Sequence, residues 1–428
     1  EKHPLTMPAM TQLARQTTLP RALRNSLILA LLLTLLRRFQ KRTSSQLLVP
    51  QRLAAAVARC PSLARDYCPP WWATPLINSM AFAFSARRRY RWYQVPGGGR
   101  YDQHRERTEL DDGGVVALDW ACPPGAKDSD PILVMLHGVV GHSQSSYLMR
   151  AIEYHEQRGT GWKICAKTWR GIDVELVTSL PETWGPRATE DVVQVVLGLR
   201  KRFPEARLCL QGMSVGGCVA LAASADDRLA GVVSACCAVS APFDYELGMR
   251  FLKQAAPAAF GPVNCAVIVH QYSREIEGKE SVLSRLERER GMEAGSLRQA
   301  VQPGMAELLP IPPWRSPDTF HGTITAPAIG VGTPEKYYEV LAQHLREALP
   351  RIQLPVLCVY ADDDPVTPPS VSLLGQLDQH PWVVVRRTGA GGHCGWFETL
   401  WDSRVDTWCA EWFAAVEVAG VQETPVCR

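Results

Sequence analysis

The sequence predicts an α/β fold with a mostly parallel central sheet, helices on both faces and one inserted cap. Short apolar runs alternate with helical stretches from about residue 115 onward, the pattern of βα units. Several of those runs are apolar throughout, as expected of strands covered on both faces. The alternation breaks once, over about residues 247–333.

Residues 115–120 follow an Asp112-Gly113-Gly114 turn and read as the first strands of an antiparallel hairpin. Residues 132–136, Ile-Leu-Val-Met-Leu, form the first fully apolar run. Further strands are expected at 163–168, 208–211, 229–237, 354–360 and 382–387. A helix is expected over 189–202, capped by Thr189 with Glu190 and Asp191 in its first turn. The break at 247–333 holds a charged helical stretch (280–290) and a Pro-rich stretch (310–317), and reads as a cap between two strands. The expected organisation is a basic, partly apolar extension over 1–65 and an aromatic- and Arg-rich lead-in over 66–108. The main domain covers 109–415, followed by a tail at 416–428.

Hydrophobic residues make up 46% of the 428, enough for a sizeable core. The net charge of +3 is unevenly spread: residues 1–65 carry eleven Lys or Arg against one acid, a balance of +10 that leaves −7 for the rest. Such an arm points to a membrane or to targeting. Nucleic acid is the weaker reading, because leucines rather than aromatics separate the basic residues. The thirteen cysteines include no CxxC spacing, so they are expected to be reduced, mostly core residues, with neither a disulfide framework nor a zinc site.

Within the arm, Ser26 to Leu36 reads SLILALLLTLL, with Arg21 and Arg24 before it and Arg37, Arg38, Lys41 and Arg42 after it. A membrane span needs about 20 apolar residues, and this run is shorter. Three readings stay open: a short or interfacial membrane anchor, an Arg-rich organelle presequence, or a helix packed on protein. The chain opens on Glu1 rather than Met, as expected where the natural N-terminus lies upstream or was processed.

The chemistry is expected at the strand ends. Gly212-Met213-Ser214-Val215-Gly216 has the G-x-S-x-G pattern of a tight strand-to-helix turn, which lifts the serine hydroxyl above the sheet edge at a helix N-terminus. A serine needs a base to be nucleophilic at neutral pH. His393, between Gly391-Gly392 and Cys394-Gly395, follows the last expected strand, and the order serine, acid, histidine suits this turn. The acid is sought in Asp362-Asp363-Asp364, after the penultimate strand, and its task is to hold the imidazole tautomer and stabilise imidazolium. An oxyanion hole needs two converging backbone N–H groups. Val215, just after the serine, and Val139, in His137-Gly138-Val139-Val140-Gly141, are the candidates, with His137 structural.

Beyond these residues the chain resembles the YheT-type α/β hydrolases, a family that includes membrane-anchored lipases and medium-chain esterases. The resemblance runs from about residue 111 to 398. It rests on Asp112-Gly113-Gly114 with Leu118-Asp119-Trp120, Trp169-Arg170-Gly171, Thr189-Glu190-Asp191, Ala241-Pro242-Phe243-Asp244, and Thr325-Ala326-Pro327 followed by Tyr337-Tyr338. The position directly before Pro365-Val366-Thr367-Pro368 is the usual place of the acid in such hydrolases, which selects Asp364 with Asp363 as runner-up. The chain departs from the family at Cys218, where Asn is usual, and at His321, where an acid is usual. Glu398 stands where some relatives carry the Asp of an acyltransferase motif, which argues against acyl transfer here.

The resemblance implies hydrolysis of lipid or small carboxylic esters at an intracellular membrane of the endoplasmic reticulum or mitochondrion, through Ser214, His393 and Asp364. No metal or organic cofactor is expected and no nucleic acid partner. The alternative is an accessory subunit of a membrane assembly, with protein partners, that keeps the fold without needing activity. Peptide cleavage has no feature in its favour.

Overall fold

The computed structural model describes residues 45–70, 72–75, 78–79, 101–138, 141–170, 185–242, 244, 246–248, 284, 287–288, 291, 293–295, 326, 329–367, 374–399 and 401–420. The apolar N-terminal run, the Pro-rich 310–317 stretch and Val139 lie outside them, as does most of the 247–333 interval.

In chain order the described elements are β1 (Gln46–Leu48), α1 (Ala54–Val57), β2 (Asp102–Glu109), β3 (Val115–Cys122), β4 (Ile132–Leu136), α2 (Ser146–Arg158), β5 (Lys163–Lys167), α3 (Pro186–Arg202), β6 (Leu208–Met213), α4 (Val215–Ala223), β7 (Val233–Val239), α5 (Pro334–Ala348), β8 (Val356–Ala361), α6 (Leu374–Leu377), β9 (Val383–Thr388) and α7 (Arg404–Ala419). The strands form one sheet in the order β1-β9-β8-β7-β6-β4-β5-β3-β2. From β5 across to β9 every pair is parallel; β2, β3 and β1 add antiparallel edges.

β4 and β6 are buried at every position, as the unbroken apolar run of β4 requires once helices cover both faces. Helices α3, α4 and α5 pack together as one layer, and α7 with α1 and α2 as a second; α4 and α7 both meet β7, from opposite faces. Each layer is closed by caps. Thr333 accepts from the Lys336 N–H at the start of α5, Ser403 accepts from the Val405 N–H at the start of α7, and Gly159 and Gly420 end α2 and α7 in left-handed conformations.

Two sequence expectations need correction. The 189–202 helix begins earlier, at Pro186, whose fixed φ suits a first turn; Thr189 lies inside it and donates its hydroxyl to the Gly185 carbonyl. The strand expected at 229–237 starts at Val233, because Asp227–Leu229, after the end of α4, is a 3-10 turn that brings the chain back to the sheet. Two edge strands escaped the pattern. β2 alternates polar residues along an exposed edge, and β1 is three residues long inside the basic arm.

The β4–β6 pairing places the site. The chain passes from β4 to β5 on one side, then crosses over β4 to β6 on the other. This reversal opens a crevice at the carboxyl ends of β4 and β6, the place where open α/β sheets bind ligands. The elbow after β6 closes against β4 through two glycines: a Cβ on Gly212 would overlap the Gly216 carbonyl, and a Cβ on Gly216 would overlap the carbonyls of Leu136 and His137. Gly216→Ala is therefore expected to lower stability by about 2–3 kcal/mol in chemical denaturation. Gly198→Ala, in open space on α3, is expected to raise it by about 0.5–1 kcal/mol. Equal effects of the two would show that the elbow is not sterically closed.

Candidate active site

Ser214 stands between β6 and α4 at φ 55° and ψ −125°, a left-handed conformation that costs about 1–3 kcal/mol for a residue with a Cβ. Its N–H donates to the Val239 carbonyl at 2.8 Å, tying the turn to the end of β7. The hydroxyl faces His393 Nε2 at 2.9 Å. On the other side of the ring, Nδ1 lies 2.9 Å from Asp364 Oδ2 and 3.2 Å from Oδ1. The ring therefore donates from Nδ1 to the acid and accepts from the serine at Nε2. Ser214 is partly exposed, whereas His393 and Asp364 are buried.

The Asp364 carboxylate is filled with donors. Oδ1 accepts the Val366 and Thr367 N–H groups at 2.8 and 2.9 Å, and Oδ2 accepts the Thr367 hydroxyl at 2.9 Å. Burial would raise this carboxyl, but the His393 charge and these donors reverse the sign and hold it below the usual range. Burial likewise opposes a charged imidazole, and the Asp364 charge outweighs it, holding His393 well above the ordinary histidine range. The pair is thus arranged to stabilise imidazolium.

Its neighbours in the aspartate run do other things. Asp362 is exposed and pairs with Arg387. Asp363 does not touch the imidazole in this way; it accepts the Gly392 N–H at 2.8 Å. Burial and the adjacent Asp364 charge push Asp363 up to about 6, against backbone donors that lower it.

Val215 is the buried first residue of α4, directly after Ser214. Gly138, beside Val139, does lie within the described residues. A Cβ on Gly138 would sit 3.4 Å from the Ser214 Cβ, so the loop after β4 reaches Ser214. Gly138 donates its N–H to the Tyr147 hydroxyl at 2.7 Å. His137 is fully buried and held down to about 3 by that burial, so it is neutral. Its Nδ1–H donates to the Gly138 carbonyl at 2.8 Å and its Nε2 accepts the Trp169 N–H at 3.4 Å.

Four supporting residues went unnoticed in the sequence: Ser79, Ser240, Thr367 and Tyr147. Ser79, Ser240 and Tyr147 carry no local signature, and Thr367 alone sits in a motif, Pro365-Val366-Thr367-Pro368. Five of the family motifs outside the triad supply a member of a charge clasp. Arg170 grips Asp191 through Nε and Nη2 at 2.8 and 2.6 Å and Asp112 through Nη1 at 2.8 Å. Arg105 pairs with buried Asp119 at 2.5 Å, and Arg346 with buried Asp244 at 2.6 Å.

A family model described as the alpha/beta hydrolase fold matches residues 131–398. The chain belongs to the α/β hydrolase fold family. Within it, the chain is 26% identical over 286 residues to a monoacylglycerol lipase of Saccharomyces cerevisiae, covering 66% of this chain and 58% of that one. It is 23% identical over 306 residues to the phospholipase ABHD3 of Mus musculus, covering 69% and 67%. It is 26% identical over 328 residues to YheT of Escherichia coli, covering 74% and 87%. These similarities put it with the YheT- and ABHD-type hydrolases. The chain spans less than two thirds of the yeast lipase's own length.

The Asp363 environment predicts a pH effect. Its carboxyl rises on folding from 3.8 to about 6, so the native state binds that proton more tightly than the unfolded chain does. The stabilisation is full below pH 3.8 and is lost as pH rises through about 6. Asp363→Asn should flatten the fall in unfolding free energy over that window, read by denaturant titration at several pH values. An unchanged slope would mean that Asp363 titrates normally.

Proposed function

We propose that the chain is a serine hydrolase of carboxylic esters, acting on lipid or phospholipid acyl esters at a membrane. The observation that carries the reading is the continuous hydrogen-bonded line from Ser214 Oγ through His393 to Asp364. Ser214 Oγ attacks the ester carbonyl while its proton passes to His393 Nε2. The carbonyl oxygen becomes an oxyanion held by the backbone N–H groups of Val139 and Val215, at the positive end of α4. The tetrahedral species collapses, the C–O bond to the alcohol breaks, and His393 returns the proton to the leaving oxygen. Water then repeats the sequence on the acyl-serine: His393 takes one proton, the acid departs and Ser214 recovers its hydrogen. Asp364 stays ionised throughout and holds the tautomer.

The lipid substrate class is supported by the likeness to the yeast lipase and the mouse phospholipase and by the basic, apolar arm. Residues 19–42 engage the membrane surface in this reading, with arginine stems along the apolar run and their heads on lipid phosphates. Each basic residue beside an anionic surface contributes about 1 kcal/mol. Among the described residues no helix is long and apolar enough to cross a membrane.

A fluorophosphonate probe should label the wild-type chain and not Ser214→Ala. Asp364→Asn should cut turnover by about 10³–10⁴-fold, as loss of the tautomer-holding acid does elsewhere, while Asp362→Asn changes little. Labelling of Ser214→Ala at the wild-type rate would sink the assignment. Separately, the full chain should float with anionic liposomes and a chain starting at Thr43 should not; equal flotation of both would remove the anchor.

A further inference from the structure

The loop that carries the imidazole has little regular structure of its own. Gly392 and Cys394 sit at φ 58° and 60°, on either side of His393. Three consecutive N–H groups in this loop are taken by side-chain oxygens from three separate parts of the chain. Gly392 donates to Asp363 at 2.8 Å, His393 to Ser79 Oγ at 2.8 Å, and Cys394 to Ser240 Oγ at 3.1 Å. Asp363 and Ser240 follow the catalytic-edge ends of β8 and β7. Ser79 comes from the lead-in, 314 residues away and well before the family match at 131–398.

Ser79 is itself held in place. Its hydroxyl donates to the Pro75 carbonyl at 2.7 Å, so its lone pairs are left for the His393 N–H. Ser79 and Asn78 are buried. They pack so closely on the loop that a Cβ on Gly392 would lie 2.7 Å from both the Asn78 Cβ and the Pro75 carbonyl oxygen. A Cβ on Gly395 would lie 2.8 Å from the Asn78 carbonyl oxygen. The two glycines are thus required by the lead-in as well as by the loop's own turn. Tyr67 closes the contact further on by donating its hydroxyl to the Phe397 carbonyl at 2.7 Å.

We propose that Ser79 is a positioning residue for His393, so that the lead-in segment forms part of the active site rather than a wrapping around it. This rests on the Ser214–His393–Asp364 reading above. The physical reason is local. Losing the Ser79 acceptor deletes the buried hydrogen bond that sets the direction of the His393 N–H, at a cost of about 1–3 kcal/mol. The loop escapes that cost by turning the N–H elsewhere, which moves the imidazole away from Ser214 and Asp364. Displacement of a reacting group by about 1 Å can cost about 100-fold in rate.

The test uses the full chain with Ser79→Ala, the near-isosteric Ser79→Cys and the hydroxyl-retaining Ser79→Thr. Rates on a soluble ester are expressed per active site titrated with a fluorophosphonate. Ser79→Ala and Ser79→Cys should each lose about tenfold or more in kcat with KM within about twofold, and Ser79→Thr should recover most of it. The acid limb of kcat/KM should move to lower pH in the first two, because the imidazole loses its close approach to the Asp364 carboxylate. A residue that only supports the fold would lower the melting temperature and leave kcat per titrated site and the acid limb unchanged; that result overturns the proposal. Ser214→Ala runs alongside. If it still labels, the triad reading fails; if it does not and the Ser79 variants turn over normally, the positioning role alone fails.

Discussion

The 2.9 Å approach of Ser214 Oγ to His393 Nε2 is the constraint on which the remaining architecture depends. Neither residue lies in a regular element. Ser214 is forced into a left-handed turn between β6 and α4, and the imidazole rides on a glycine-flanked loop after β9. Two irregular segments meet to hydrogen-bond accuracy only if rigid parts of the structure dictate where each one goes. For the serine, the dictating part is the β4–β6 pair. Gly212 and Gly216 let α4 start hard against the end of β4, which brings the serine and the loop after β4 together in one step. Ser214 and the start of the loop after β4 are thus set by the same backbone contact.

The family motifs outside the triad have a consistent physical meaning on this scaffold. Arg170, just past β5, is held by Asp191 on α3 and Asp112 in the hairpin turn, so three elements converge on one guanidinium. Arg346 on α5 takes Asp244, just past β7, and Arg105 on β2 takes Asp119 on β3. In each pair the carboxylate or the guanidinium is buried. Removing one member of such a pair leaves a charge without compensation, at a cost of about 3–5 kcal/mol. Each clasp ties one element to a neighbour or to the turn beside it. The thiols take no part in this scheme: every described cysteine is free, and Cys68 alone is exposed.

The fold class and the meeting of Ser214, His393 and Asp364 were legible because they are written in local signals. A strand buried on both faces must be apolar along its length, so 132–136 and 356–361 stand out from their flanks. The elbow needs its glycines within five residues, and Asp364 with Thr367 forms a turn inside one short motif. The polar edge strand β2 and the three-residue β1 carry no such pattern, because an edge is covered on fewer sides. The helix cap was misread for a related reason. Thr189 has the right chemistry for a cap, but Pro186 had already started the helix, and the threonine serves instead to meet His344 on α5 at 2.9 Å.

What was not legible is the suspension of the histidine loop. A serine hydroxyl that accepts one backbone N–H has no periodicity and no charge, and the N–H it accepts lies 314 residues on, so Ser79 reads as an ordinary loop residue. The same holds for Ser240, whose left-handed φ of 49° is evident only once the chain has turned. Yet the loop's geometry follows from these acceptors taken together. Asp363 and Ser240 fix the N–H groups on either side of His393, and Ser79 sets the direction of the middle one. The lead-in is in turn fastened far from the site. Ser62 donates from both its N–H and its hydroxyl to Glu411 on α7, and Trp408 returns a hydrogen bond to the Ser62 carbonyl. The position of the imidazole is therefore a property of a path that runs from Ser62 to Glu411, and the match at 131–398 encloses the triad without enclosing all that holds it in place.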